Sequence, residues 1–364
     1  MAEMATPVEE RKQPADRAVA RLPEHEFDAI VLVSFGGPEG MDDVMPFLEN
    51  VTRGRNVPRE RLLDVAHHYE LFGGVSPINE QNRALIAALE PELRAHGVDL
   101  PVYFGNRNWH PYLTDTLRQM RDDGVRRALA VFTSAFSSYS GCRQYREDLF
   151  NAQAAVGPDA PEVPRVRMFF NHPGFIGANV DRVRAALAQV PAGAHVAFTA
   201  HSIPLAMAEN CAYEAQLVET ARLVATAVGV EDWAVVYQSR SGPPQVPWLE
   251  PDIGDHLETV AARGVAAVVV APIGFVSDHL EVLFDLDVEA KEIAERLGLA
   301  FARAGTAGTH PAFVAGLRDL IVERLTPGAD RPALGRFGPS HDVCAPDCCL
   351  PGSGRLSPWD APGS

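Results

Sequence analysis

Short, continuous apolar runs recur along the chain, each followed by a stretch with helical spacing. Ala29 to Phe35 (AIVLVSF), Val102 to Phe104 (VYF), Ala128 to Ala135 (ALAVFTSA) and Val166 to Phe170 (VRMFF) lack apolar–polar alternation. That is the pattern of strands buried on both faces of a parallel sheet. Helical patterns, such as the one from Asn82 to Ala95, separate them. The second half repeats the plan with His195 to Ala200, Trp233 to Gln238, Ala266 to Ile273 and Leu299 to Ala304. Strands alternating with helices predict an α/β protein, and the repetition predicts two similar Rossmann-like lobes, each a parallel sheet flanked by helices, with a cleft between them. The expected organisation is a disordered tail at 1–24, a first lobe at 25–180, a second at 181–325 and a C-terminal tail at 326–364. That last tail is rich in Pro, Gly and Asp, so only its cysteines offer it a reason to order.

Ligands of open parallel sheets gather at the carboxyl ends of the strands. Three tips qualify: Ser34 to Pro38, His201 to Pro204 and Phe275 to Glu281. A histidine at His201 can accept a proton near neutral pH, although it could equally cap the helix that follows. Beyond the third tip, Glu281, Asp285 and Glu289 stand at i, i+4 and i+8. Like charges at that spacing cost an isolated helix roughly 0.2 to 0.5 kcal/mol a pair, so they imply either bulk water or a cation. Asp278 sits where a helix cap would. His25, His67, His68, His96 and His341 fall on polar helix faces or loops and are expected at the surface.

Composition narrows the partners. A net charge of −16 argues against nucleic acid or an anionic membrane, and no run of about 18 apolar residues suggests an integral membrane segment. The N-terminal stretch is charged where a signal peptide would be apolar, so the cytoplasm is expected. Of five cysteines, three crowd into HDVCAPDCCLPG as Cys344, Cys348 and Cys349. With one distant thiol these suffice for a four-cysteine [2Fe-2S] or zinc site, and the spacing alone does not choose. Cys211, at a helix start, is expected to be structural.

The segments LFGGVSPIN (71–79), HSIP (201–204), YQSRSGPP (237–244) and GFVSDHLEVLFDLDVEAK (274–291) resemble, in this order, signatures of the ferrochelatase family over residues 28 to 325. TSAFSSYSGCRQYRED and the cysteine-bearing tail make the chain most similar to bacterial coproporphyrin III ferrochelatases with a C-terminal [2Fe-2S] cluster. The resemblance implies a chelatase fold and insertion of Fe²⁺ into coproporphyrin III, giving coproheme III and two protons, in heme biosynthesis. It implies His201 as base or metal contact, Glu281 opposite it, and Asp285 and Glu289 as an acidic path, with His279 and Phe275 in support. Arg53, Arg55 and Ser76, with the Gly73-Gly74 backbone, would hold the porphyrin's carboxylates. Phe35 and Tyr145 would also meet the porphyrin; Phe35 replaces a tyrosine of some relatives and offers the metal no oxygen. Cys142 would join Cys344, Cys348 and Cys349 around the cluster. Transient contact with neighbouring heme-pathway enzymes is a further implication. Three readings compete: a protoporphyrin IX ferrochelatase, a chelatase for cobalt, nickel or another tetrapyrrole, and a tetrapyrrole or metal carrier without turnover.

Overall fold

The computed structural model describes residues 27–54 and 57–352. The expected N-terminal tail and Arg55 lie outside the described residues. The first sheet has order β2-β1-β3, from β1 (Ala29–Ser34), β2 (Val102–Asn106) and β3 (Ala128–Phe132); the second has order β5-β4-β6-β7, from β4 (His195–His201), β5 (Trp233–Gln238), β6 (Ala267–Ala271) and β7 (Ala300–Arg303). All the pairings are parallel. β1 and β4 are each flanked on both sides, so chain connections diverge at their carboxyl ends and open a crevice there. Strands β1, β3, β4 and β6 are apolar and almost wholly buried, as expected when helices cover both faces, while the edge strands β2, β5 and β7 are partly half-buried.

The run Val166 to Phe170 is not a strand. The chain pairs with β3 a few residues earlier, by isolated bridges at Glu162 and Arg165. Pro161 and Pro164 lack the N–H a regular ladder needs. Phe169 and Phe170 are buried all the same, as an apolar loop leading into the helix Pro173–Leu187.

The two lobes share one interior. Ile30 and Leu32 of β1 and Val196 and Phe198 of β4 belong to a single core. Leu85, Leu89 and Leu93 of helix Ile78–Ala95 fill it at one-turn spacing, with Phe169, Phe175 and Phe313 between the sheets. The cleft is therefore confined to the strand tips.

The C-terminal tail also departs from expectation. Residues 326–352 contain neither helix nor strand, yet the body pins them well before the cysteines. Buried Arg167 donates to Glu323 (2.9 Å) and to the Pro332 carbonyl (2.8 Å). Asn171 exchanges bonds with Leu334 and reaches the Gly338 carbonyl, while Phe337 meets the ring of Phe170 edge-on.

Candidate active site and cysteine group

The β1 tip is held by close backbone packing. Gly36 has φ +84°, and a Cβ there would lie 2.8 Å from the Asn106 side chain, so the turn requires glycine. Buried Ser76 packs against Gly37 and donates its N–H to the Pro38 carbonyl (2.9 Å), locking the Gly73–Ser76 loop to the tip. Phe35 follows at the end of β1, 37% exposed, with Phe47 and the Arg107 guanidinium beside its ring. Arg53 is exposed at the end of helix Met41–Val51. Tyr145 is buried in the first-lobe core, between Phe132 and the Arg107 guanidinium 4.3 Å above its ring, instead of facing the crevice.

His201 ends β4 with a defined tautomer. Its Nδ1 lies 2.5 Å from the Ser202 carbonyl, an acceptor only, so Nδ1 carries the hydrogen and the neutral ring keeps its lone pair on Nε2. That nitrogen lies 3.7 Å from Glu281 Oε2, and His279 Nδ1 is 4.0 Å from the same oxygen. Glu281 is half exposed. Burial lowers the His279 pKa and keeps the ring neutral, with Phe275 edge-on to it at 4.9 Å. Two imidazoles and one half-exposed carboxylate thus converge, a set that can bind a borderline divalent cation or take up protons.

The first lobe closes over this tip. Leu280 packs with Phe47, Tyr69 and Trp109, and the Asp278 N–H donates to Gln81 of the first lobe (2.9 Å). Asp278 is not a helix cap: its carboxylate pairs with Arg303 (3.0 Å). His68, expected at the surface, is half-buried, its ring stacked on Phe284 at 3.8 Å. Burial, then the nearby Glu281 charge, raises the Tyr69 pKa and keeps that phenol neutral.

Glu281, Asp285 and Glu289 do not share one regular α-helix. Leu280–Val282 is α-helical and Leu283–Ala290 a π-helix, whose wider turn changes the angular step between residues. The environments of the three are correspondingly unequal. Asp285 accepts from the Ser239 hydroxyl and from Gln238 Nε2 (3.2 Å), and burial raises its pKa to about 7. Glu289 is exposed, and its pKa is raised by partial burial and by Asp252. Since folded Asp285 binds a proton more tightly than the free side chain, its contribution to stability is full below pH 4 and is lost as pH rises to about 7. Asp285→Asn should therefore flatten the fall in stability over that window, by at most about 1.4 kcal/mol per pH unit; urea titrations of both proteins at pH 5 and 7.5 would test it, and equal slopes would contradict it. Ser239, the residue that accommodates the carboxylate, has φ 59°. It lay unassigned within YQSRSGPP, where a polar residue at a strand tip was the available signal.

The second cluster lies where the tail meets the first lobe. Cys142 Sγ is 3.8 Å from Cys344 Sγ, and Cys348 Sγ is 3.6 Å from Cys349 Sγ. A tetrahedral centre with metal–sulfur bonds of about 2.3 Å separates two thiolates by roughly 3.8 Å, so both pairs fit ligation. His341, expected to be a plain surface histidine, is exposed but has a ring nitrogen within 4.8 Å of the Cys344 and Cys348 sulfurs. Cys211 stays apart, donating to the Met207 and Ala208 carbonyls, its pKa raised to about 11 by burial.

Two parallel sheets flanked by helices, with metal-type donors at their tips, define a chelatase-fold protein. The solved structure of SirB from Bacillus subtilis with Fe³⁺ shares the fold, with a TM-score of 0.52 at 12% identity over 82% of this chain and 95% of that one. The family model described as Ferrochelatase matches residues 27–325. A Ferrochelatase from Rhodopirellula baltica is 61% identical over 328 residues, covering 89% of this chain and 93% of the relative. Coproporphyrin III ferrochelatases from Streptomyces griseus and Nocardia farcinica are each 56% identical, covering 89% of this chain and 93% and 97% of the relatives. The chain belongs to the ferrochelatase family, lyases that insert ferrous iron into a porphyrin in heme biosynthesis.

Proposed function

We propose that the porphyrin is coproporphyrin III and that iron enters it between the β1 and β4 tips. The carrying observation is the approach of His201 Nε2 to the half-exposed Glu281 carboxylate at 3.7 Å. In this reading the free lone pair of His201 Nε2 takes one of the two pyrrole protons that Fe²⁺ displaces, and the Glu281 carboxylate takes the other. Asp285 and Glu289 lead cation or protons along the π-helix. Phe35 and Arg53 meet the macrocycle and its carboxylates from the first lobe, and Ser76 holds the loop beneath them. Arg55 and Tyr145 belong to the same reading, Tyr145 acting through Arg107. Coproporphyrin III carries more propionates than protoporphyrin IX, which suits an arginine-bearing entrance.

We also read Cys142, Cys344, Cys348 and Cys349 as ligands of a [2Fe-2S] cluster, which the thiol spacings support. When bound, such a group would cross-link tail to body and could take up one electron. The cytoplasm as compartment and transient contact with neighbouring heme-pathway enzymes follow by analogy with bacterial relatives. The test of function is anaerobic turnover with Fe²⁺, followed by porphyrin fluorescence. Multiple turnovers are expected, with a higher kcat/KM for coproporphyrin III than for protoporphyrin IX. The reverse preference would overturn the choice of substrate, and quenching that stops at one equivalent would mark a carrier.

A further inference from the structure

Arg165 sits at the seam between the first lobe and the tail. Its backbone bridges Ala130 of β3, and its side chain is buried, with 8% of the residue exposed. Nη1 donates to the Val166 carbonyl (2.8 Å) and Nη2 to Cys344 Sγ (2.9 Å). Among the described residues no carboxylate pairs with it; the groups that face its charge are the thiols of Cys344, Cys142 and Cys348. Arg143 is the contrast. It too is buried and reaches the same loop through the Pro346 and Cys348 carbonyls, but Glu147 neutralises it at 2.9 Å.

A guanidinium does not shed its proton in a protein, and a buried cation needs an anion close by. Neutral thiols do not supply one, whereas thiolates do, and a bound metal keeps all the sulfurs it holds in that form. We infer that Arg165 is the counter-ion of the group held by the four cysteines: it offsets the group's negative charge, slows its loss and favours entry of a further electron. The inference rests on the reading of those cysteines as metal ligands. Hydrogen bonds and charge around the sulfurs are established levers on both retention and potential.

The test compares Arg165→Gln and Arg165→Lys with the wild-type full chain, after metal and acid-labile sulfide have been measured. Arg165→Gln should release metal to a chelator about tenfold faster, with Arg165→Lys close to wild type. In the iron-sulfur form, the ratio of reduced to oxidised Arg165→Gln at a fixed potential should fall about tenfold, equivalent to about 59 mV for one electron. Unchanged release and unchanged potential in Arg165→Gln would overturn the inference. So would equal losses in Arg165→Lys and Arg165→Gln, since charge would then not be the operative property. Should Arg165→Gln fail to fold, a folded Arg165→Lys decides alone: wild-type release supports a role for charge, and rapid release refutes it. A wild-type protein holding zinc without sulfide would remove the iron-sulfur reading while leaving Arg165 to be judged by zinc release. A wild-type protein with neither metal would remove both.

Discussion

Replacing His201 with alanine should lower kcat for iron insertion by about 10²- to 10⁴-fold, the usual contribution of a positioned base, with little change in the porphyrin KM. The expectation comes from the tautomer. Because the Ser202 carbonyl takes the Nδ1 hydrogen, Nε2 is the nitrogen left with a lone pair, and it lies 3.7 Å from the Glu281 carboxylate. The backbone that carries it is fixed independently, by Tyr213 donating to the His201 carbonyl (3.0 Å) and by the Ser202 N–H bonded to Gln238 (2.8 Å). Loss of the ring should therefore leave the fold and porphyrin binding intact, so the deficit should appear in kcat and kcat/KM together. Steady-state kinetics with porphyrin binding measured in parallel would check this. Full-rate turnover by the variant would remove His201 from the chemistry.

Glu323→Ala should destabilise the protein by about 3 to 5 kcal/mol, the usual cost of leaving a buried charge without its partner. The Glu323 carboxylate, only 4% exposed, accepts from Arg167 and from Arg331, both at 2.9 Å. Its removal would leave the wholly buried Arg167 guanidinium bonded to the Pro332 carbonyl alone, and would free the tail at Arg331. Thermal unfolding should shift down by several degrees, and a protease should cut the tail after about residue 330 sooner than in wild type. A tail that stayed protected at an unchanged melting temperature would mean that the cysteines alone hold it.

That second prediction could not have been made from the sequence. Residues 326–352 have no periodicity because they form no regular element; side chains elsewhere satisfy their backbone, and partners such as Asn171 and Arg167 lie more than 150 residues away. What was legible is what periodicity encodes: the uninterrupted apolar runs at β1, β4 and β6, and polar residues at their tips. The same logic misread Val166 to Phe170, because an apolar run buried as a loop looks like one buried as a strand, and the decisive prolines stood just upstream. It also read Glu281 to Glu289 on a 3.6-residue turn. A π-helix depends on tertiary packing that four-residue spacing does not reveal, and so the burial of Asp285 against Ser239 was hidden. His68 was assigned to the surface because its stacking partner, Phe284, belongs to the other lobe.

The undivided core beneath the two sheets limits how the enzyme can move. Domain closure about a hinge needs an interface that can open, and close-packed side chains running from Ile30 to Phe198 provide none. The β1 and β4 tips are thus fixed jaws, their gap set when the chain folds. Room for a broad, flat macrocycle must come from what lies above the jaws: helices Met41–Val51 and Arg59–Glu70, whose apolar side chains form a small cluster of their own with Leu280. The protein is built as a vice with fixed jaws, and these two helices are the one part of its mouth that packs apart from the common core.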